Sequence, residues 1–335
     1  MCWNTSPMTM RYWYPSYGFD GSIKHCNVYM NLMESERFRG GKARMFDRIV
    51  EDFCTFDDFC QAFCRRWEAR LLTEGAEPSR KRGPEAGLVD SEIITILVLH
   101  HSSNFKNFKA FYEGVVVSLL RPFFPRLPCY ARFIALTSRV WVPLTFFLLS
   151  RMGRRTGIYY IDSTALPVCH NRRIGRHRTF TGLAARGKTS TGWFFGLKLH
   201  LVFNHEREIV ALKLTSGNVS DTTPVPELTR DLIGKLFGDK GYVGKDLAAS
   251  LLRRGLALMT RVRRNMKRLP VSFLDKALLN GRNVVETIIG HIKEFSSLRP
   301  PKHRSVFNAL THITAAIVAY QINPLPPQPI CAFIP

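Results

Sequence analysis

Three acidic residues lie in surroundings where an acid is unusual. Asp162 and Asp239 each follow a short apolar run that predicts a β-strand, and Glu286 is a lone acid in an apolar helical stretch. An unpaired charge is costly to bury, so an acid after a strand is expected at a sheet edge, where ligands bind. Three carboxylates close together repel each other unless a cation neutralises them, and Mg²⁺ binds carboxylates together with phosphate oxygens. Taken singly, each acid is as consistent with a turn, a cap or a salt bridge.

The elements that would position these acids fall into two regions of different pattern. Residues 45–153 read as all-helical, with apolar residues at spacings of three and four, and from Gly157 β-rich runs alternate with helices. The predicted order there is β-β-β-α-β-α-β-α, with a further C-terminal helix. The predicted strands are Tyr159–Ile161, Phe194–Phe203, Ile209–Leu214, Lys235–Gly238 and Leu256–Val262. The predicted helices are Asp221–Ile233, Lys245–Arg254, Asn283–Phe295 and Val306–Ile322.

The helical region contains one pattern that could read DNA. A helix capped by Asp90 or Ser91 is followed by a turn at residues 101–104 and by a second helix that carries Lys106 and Lys109. A helix-turn-helix is one interpretation, and a module for helix packing or dimerisation is the other. A further helix is expected over Tyr130–Arg151, interrupted at Pro143.

Several motifs resemble the DDE transposases of bacterial insertion sequences, and among them the insertion sequence 982 family. They are IDSTALPVCHNRRIGRH from Ile161, RGKTSTGWFFGLKLHLVFN from Arg186, LTSGNVSDTTP from Leu214, GKLFGDKGY from Gly234, VVETIIGHIK from Val284 and KHRS from Lys302. The helical segment SEIITILVLHHSSNFKNFKAFY from Ser91 is also similar to that family, so the resemblance covers roughly residues 45–322.

This resemblance implies a fold, a site and an activity. The expected fold is α/β, an RNase H-like mixed sheet flanked by helices and preceded by an all-helical domain. Asp162, Asp239 and Glu286 would be the catalytic, metal-binding triad for two Mg²⁺ or Mn²⁺ ions, and the activity would be cleavage and transfer of DNA strands. A related signature has Arg and Lys around its glutamate, which Arg282 and Lys293 match, whereas Leu279 replaces its Tyr.

The charge of the chain agrees with a phosphate-rich partner. Lys and Arg number 48 against 26 Asp and Glu, a net charge of +22. No Asp or Glu occurs from Ser163 to His205 or from Leu247 to Leu274, and both stretches are rich in Arg and Lys, including Lys198. Phosphate contacts are expected there. The predicted DNA-binding residues are Arg172, Arg173, Arg176, Arg178, Arg186, Lys188, Lys240, Arg261, Arg263, Arg264, Lys267, Arg282, Lys293 and Arg304.

Other polar and aromatic residues in these stretches allow two interpretations each. Trp193 is expected in the core, with stacking on a base as the alternative. His170 and His177 could contact phosphate or serve a turn or the core. The position of Lys240 beside Asp239 does not decide whether it faces the scissile phosphate.

The remaining features concern domains, compartment and assembly. We expect a disordered leader over residues 1–44, a DNA-end-binding domain over 45–153, a catalytic domain over 154–323 and a Pro-rich tail over 324–335. No CxxC pair occurs, Cys54, Cys60 and Cys64 are expected in packing rather than on a metal, and no secretory signal precedes them. The apolar runs near Val140 and Ile313 are shorter than a membrane span. A cytoplasmic, nucleoid-associated protein without a membrane partner follows as the expectation, acting as a homo-oligomer on paired element ends and target DNA.

Three other functions remain open at this stage. A decayed or domesticated copy would bind DNA without cutting it. A structural RNA-binding protein would explain the charge but needs no acidic triad. A peripheral membrane protein would need its basic residues along one amphipathic helix, and they are not so arranged.

Overall fold

The computed structural model describes residues 41–73, 87–103, 105–190, 192–261, 272–294 and 303–326, without the side chains of 41–46, 71, 72 and 294. The first part of this chain is helical, as predicted. Helix α1 begins at Gly41, within the expected leader. The helices are α1 (Gly41–Thr73), α2 (Asp90–His101), α3 (Phe108–Phe111), α4 (Tyr130–Thr137) and α5 (Trp141–Ser150).

Three details of these helices differ from the predictions. The side chains of Asp90 and Ser91 do not cap α2; instead the Val89 N–H donates to the carboxylate of Glu92 (2.9 Å). Pro143 lies in the first turn of α5, where a missing N–H is tolerated, and the break between α4 and α5 is a 3₁₀ turn at Ser138–Val140.

The segment with the helix-turn-helix interpretation contains two unequal elements. Helix α2 is buried on nearly all sides, and α3 is a single turn that continues into a π-helical turn, Tyr112–Val116. The first element is therefore a packed core helix, although Lys106 and Lys109 near the start of the second are exposed. This arrangement supports the packing interpretation.

The second part of the chain is built on a six-stranded mixed sheet. Its strands are β1 (Ile158–Cys169), β2 (Ala185–Thr189), β3 (Gly192–Asn204), β4 (Ile209–Ser216), β5 (Gly234–Gly238) and β6 (Leu256–Thr260). The helices that follow β4 are α6 (Val225–Leu228), α7 (Lys245–Leu252), α8 (Phe273–Gly281), α9 (Asn283–Glu294) and α10 (Val306–Gln321). Strand β2 and helix α8 were not predicted, and the predicted helix over Asp221–Ile233 is a turn with only the four residues of α6 helical.

The order of the strands gives the class of fold. From one edge the sheet runs β2-β3-β1-β5-β6, and β4 also pairs with β3, beyond the segment that β2 covers. Strand β1 is antiparallel to β3 and parallel to β5, which is parallel to β6. Antiparallel strands on one side of β1 and parallel strands on the other define the RNase H-like arrangement, and the fold prediction is confirmed.

Alternation along the strands divides the core between the two faces of the sheet. One face carries Leu197, Leu199, Leu201 and Phe203 of β3, and it packs in one continuous core with the N-terminal helices, α9 and α10. The opposite face packs Ile161 and Val202 against residues of α6, α7 and the neighbouring loops. The N-terminal helices therefore cover the sheet.

The C-terminal helix α10 joins the two predicted regions. It packs against α2 and α5. The Tyr320 hydroxyl donates to the carbonyl of Arg207 (2.6 Å). The amide of Gln321 accepts from the Ile209 N–H (3.0 Å) and donates to the Arg151 carbonyl (2.7 Å). Helix α10 thus connects the β3–β4 turn with the end of α5.

One stretch, Tyr130–Ser150, is long and apolar enough to cross a membrane by length and composition. It consists of α4, the 3₁₀ turn and α5, and α5 packs against α10 and α1. Core helices often have the same length and composition, so this stretch does not by itself indicate a membrane span.

Candidate metal and DNA site

Asp162 and Asp239 lie on the two neighbouring central strands, just beyond the point where the parallel pairing of these strands ends. The parallel pairing of β1 with β5 ends at Tyr160 opposite Phe237, and each aspartate is two residues further along its chain. Asp239 follows the last residue of β5, as predicted. Asp162 does not end its strand, because β1 continues to Cys169 in antiparallel pairing with β3 and places Asp162 opposite Leu201. The two acids therefore come together where the pairing of β1 with β5 ends, although β1 itself continues beyond Asp162.

Arg282 connects the two aspartates. It caps α8, where α9 begins, and only 8% of it is exposed. One terminal nitrogen, Nη2, lies 3.5 Å from Asp162 Oδ2, and the other, Nη1, lies 3.1 Å from Asp239 Oδ1. This guanidinium therefore partly neutralises both carboxylates. Because it is buried, it is less accessible to DNA than an exposed arginine. This burial argues against the prediction that Arg282 binds DNA.

The surroundings of Asp162 act on its pKa in both directions. Burial raises this pKa most, and the nearby carboxylates of Asp239 and Asp221 raise it as well. The Ser163 N–H, which donates to Asp162 Oδ1 (2.8 Å), and the charge of Arg282 lower it. The net effect is a raised pKa, as expected where acids are crowded in a partly buried place.

Asp221 is a further acid at this site that the sequence analysis missed. The Ser163 hydroxyl donates to Asp221 Oδ1 (2.7 Å), and Lys198 Nζ lies 3.0 Å from the same oxygen. Lys198 also donates to the Val219 carbonyl (2.8 Å) and is buried, which corrects its expected place in an exposed basic cluster. The only sequence signal for Asp221 was its position in the motif LTSGNVSDTTP, where it was assigned to a helix.

Tyr242 is buried close to Asp162 and Asp221. It follows Asp239 by one 3₁₀ turn, is 2% exposed and lies against Gly238. Burial and the charges of Asp162 and Asp221 raise the pKa of its hydroxyl. Leu279, which replaces a Tyr in the related signature, is a buried core residue.

Glu286 lies on α9 but is not in contact with the two aspartates. It is exposed in the first turn of α9, seven residues before Lys293 on the same helix. Lys293 is close enough to Asp162 for that charge to act on its pKa, although burial lowers the pKa of Lys293 overall. Among the described residues no group of three or more His, Cys, Asp or Glu is arranged to hold a metal ion.

Most of the predicted DNA-binding residues are exposed where the structure describes them. Arg261 is one of these exposed residues, and its guanidinium donates to the side-chain oxygen of Asn280 (3.3 Å) at the end of α8. Lys293 is half-buried, and Arg263, Arg264 and Lys267 lie outside the described residues. The other exposed residues are Arg172, Arg173, Arg176, Arg178, Arg186, Lys188, Lys240 and Arg304.

Three aromatic residues near these cations, Trp193, His170 and His177, differ in their exposure and contacts. Trp193 is 63% exposed, so the expectation that it is a core residue was wrong. His170 is exposed and caps a 3₁₀ turn, Asn171–Arg176. His177 stacks on Phe180, with ring centroids 5.8 Å apart.

The class of fold and the sequence comparison agree. The sheet is RNase H-like, and residues 152–306 match the family model described as a transposase DDE domain. The resemblance to DDE transposases is confirmed at that level over this segment. The 982 family and a bacterial origin stay predictions.

One solved structure is similar over much of the chain. It is described as a piggyBac transposase synaptic complex with hairpin DNA, and it is 12% identical with a TM-score of 0.43, covering 76% of this chain and 72% of that one. None of the curated proteins matches this chain.

Proposed function

We propose that this chain is a transposase that binds the ends of its insertion sequence and cleaves and transfers DNA strands with the help of divalent metal ions. The observation that carries the proposal is the pair of aspartates, Asp162 and Asp239, held beyond the end of the β1–β5 pairing around the guanidinium of Arg282. The match of residues 152–306 to the transposase DDE domain supports it.

The donor atoms at the paired aspartates suit a hard cation. Mg²⁺ is commonly bound by one or two carboxylates together with substrate phosphate oxygens, and Asp162 and Asp239 offer two such carboxylates. The guanidinium of Arg282 between them indicates that this place accommodates positive charge. Two Mg²⁺ or Mn²⁺ ions bound here would activate the attacking oxygen and stabilise the leaving oxygen of a phosphodiester.

Glu286 is proposed as the third carboxylate of the site. It lies in the first turn of α9, between Arg282 at the end of α8 and Lys293 further along α9, and both cations are close to Asp162. Lys293 would orient a phosphate group beside the acids. In this arrangement the protein contributes positioning and charge neutralisation, and no covalent intermediate with the protein is formed.

The basic surface is proposed to hold DNA by its backbone. Exposed arginines and lysines contact phosphates without reading sequence, so they would set the position of the duplex. Arg282 is not proposed as one of these contacts in the arrangement described. The partners would be the element ends and target DNA, bound by a homo-oligomer in the nucleoid region of the cytoplasm.

The test is cleavage of a labelled duplex that carries the DNA flanking this gene. Wild type, Asp162→Asn and Glu286→Gln would be compared in Mg²⁺, Mn²⁺ and EDTA, with Asp231→Asn as a matched control, since Asp231 is an exposed acid paired with Arg155 (3.3 Å). We expect metal-dependent nicking at a defined end in wild type and in the control. Both site variants should bind the duplex but not cut it. Cleavage that persists in Asp162→Asn would exclude the assigned site.

A catalytically inactive or domesticated DNA-binding protein is the second candidate. It is favoured by the position of Glu286, which does not join the aspartates, and by Arg282, which already neutralises them. For this candidate the same assay would give salt-sensitive binding and no cleavage with either metal. Asp162→Asn would then leave function intact.

A further inference from the structure

Trp193 is the most exposed of the tryptophans that the structure describes. It lies at the start of β3, opposite Lys188 in the β2–β3 hairpin. Gly192, just before it, has a φ of +134°, a backbone conformation that favours glycine. The indole is exposed beside this hairpin's cations.

The neighbours of Trp193 are cationic. Lys188 Nζ lies 5.7 Å from the centroid of the indole, in a cation–π contact. The Asn171 side-chain amide donates to the Trp193 carbonyl (2.8 Å) and fixes the turn Asn171–Arg176 beside the hairpin. That turn, which packs against β3, carries three exposed arginines: Arg172, Arg173 and Arg176.

No acid offsets this charge locally. The chain has no Asp or Glu between Ser163 and His205, and the three turn arginines and Lys188 form no ion pair with a described carboxylate. The fitting partner is therefore an anion that also presents planar rings. A nucleic acid has both, since its phosphates meet the cations and its bases stack on aromatic side chains.

The indole further restricts the form of the nucleic acid. Bases inside an intact duplex are stacked on each other, so an aromatic side chain finds a free base face most readily where the base is unpaired. We propose that Trp193, with Lys188 and the arginines of the Asn171–Arg176 turn, binds an unpaired nucleotide of a DNA strand, with the indole stacked on its base. The proposal rests on DNA being the partner, as in the proposed function, but it does not depend on cleavage.

The location separates this surface from the carboxylates. Asp162 pairs with Leu201 on β3, eight residues after Trp193, which corresponds to at most about 26 Å along the strand. At 3.4 Å per nucleotide that is roughly seven or eight nucleotides. Trp193 is thus placed to hold DNA away from the bond that is cut, and its loss should weaken binding rather than chemistry.

The experiment measures binding with cleavage removed. Full-length protein carrying Asp162→Asn would be titrated against three labelled oligonucleotides: a single strand, a duplex with two unpaired nucleotides and a fully paired duplex. Trp193→Ala and Trp193→Phe would be compared with Trp67→Ala, which removes a tryptophan, 40% exposed, from α1. A 2-aminopurine at the unpaired position would report stacking directly.

We expect Trp193→Ala to weaken binding of the single strand and of the partly unpaired duplex about tenfold. Binding of the paired duplex should change by less than about twofold, Trp193→Phe should retain most of the affinity, and Trp67→Ala should match its parent. Fluorescence of 2-aminopurine should be quenched by the parent protein and not by Trp193→Ala. Equal losses on all three substrates, or no loss on any, would overturn the inference.

The outcomes also separate this inference from the proposed function. If wild type fails to cut DNA with any metal but the preference for unpaired DNA depends on Trp193, the proposed cleavage fails and this inference stands. If wild type cuts DNA and Trp193→Ala binds unpaired DNA normally, the inference fails alone. If the protein binds none of the oligonucleotides even at low salt, both are wrong.

Discussion

The guanidinium of Arg282 lies 3.1 Å from the carboxylate of Asp239, and its other terminal nitrogen reaches Asp162. Arg282 stands at the start of the helix that carries Glu286. One side chain therefore links the two strands of the site to that helix. A change at Arg282 should act on the stability of the site and on its affinity for cations together.

Replacing Arg282 by Gln should destabilise the protein in the absence of divalent metal. The two carboxylates would lose their shared counter-charge, at a cost of about 2 kcal/mol, between the values for exposed and buried ion pairs. Mn²⁺ should then stabilise the variant more than it stabilises wild type, because the ion no longer competes with the guanidinium. Thermal unfolding in EDTA and in Mn²⁺ measures both effects.

The matched control for this prediction is Arg155→Gln. Arg155 forms an exposed pair with Asp231, so its loss should change neither the melting temperature nor the response to Mn²⁺. An identical response to Mn²⁺ in Arg282→Gln and wild type would contradict the proposed competition.

Asp221 should position Asp162 through Ser163. The Ser163 hydroxyl donates to Asp221 while its backbone N–H donates to Asp162, so Asp221→Asn would loosen the residue that holds the carboxylate of Asp162. We expect the cleavage rate to fall by roughly tenfold to a hundredfold, the range for groups that orient a metal ligand. The KM for DNA should stay unchanged, and Asp221→Glu should recover part of the rate.

Steady-state kinetics separate this positioning role from a general loss of structure. If Asp221 had only a structural role, Asp221→Asn would lower the amount of active protein, and Asp221→Glu would have the same effect. A rise in KM without a change in kcat would place Asp221 in DNA binding instead.

Gly196 is predicted to tolerate no side chain. A Cβ there would lie 2.2 Å from the carbonyl oxygen of Leu166 on the neighbouring strand, a backbone atom that cannot move without breaking the β1–β3 ladder. Gly196→Ala should lower the free energy of unfolding by about 3 kcal/mol or more. Urea unfolding followed by circular dichroism checks this.

Gly290 provides the contrast on helix α9. Nothing lies within 4 Å of a Cβ at that position, so Gly290→Ala should leave the protein unchanged or stabilise it by up to about 1 kcal/mol. Similar destabilisation by both substitutions would show that crowding at Gly196 is not the cause.

Acidification should destabilise the helical part through buried histidines. Burial lowers the pKa of His100 to about 4, and its ring packs against His101, His312 and Phe108. The unfolded chain binds a proton near the ordinary pKa of 6.5, so this residue's contribution is fully present above that pH. This contribution is lost as the pH falls towards 4, and the stability lost by pH 5 is roughly 2 kcal/mol.

The comparison of wild type with His100→Leu isolates this effect. Burial raises the pKa of Asp52 to about 6, which gives the opposite slope in both proteins and cancels in the difference. Melting temperatures between pH 7.5 and 5 should fall more steeply in wild type than in the variant. Parallel curves would contradict the assignment, and His170→Leu, at an exposed position, should behave as wild type does.

The sequence alone determined most of the local structure and the position of Asp162 and Asp239 after two apolar runs that form strands. Alternation along β3 assigns its residues to the two faces of the sheet, and the repeat of three and four in α1 indicates which face of that helix is buried, so these elements follow from short windows of sequence. Strand β2 escaped prediction because its residues, ARGKT, are mostly polar, and pairing with β3 rather than burial holds it in place.

Only the tertiary structure decided what surrounds the site and what lies at the surface. The meeting of Asp162 with Asp239 depends on the register of β1 with β5, and the placement of Arg282, Asp221 and Lys198 depends on contacts between distant parts of the chain. Trp193 looks like a core residue in its apolar run, yet it is exposed at the end of a hairpin. Local pattern reports the conformation of a segment, whereas the partners of a side chain are set by how segments pack, which no short window contains.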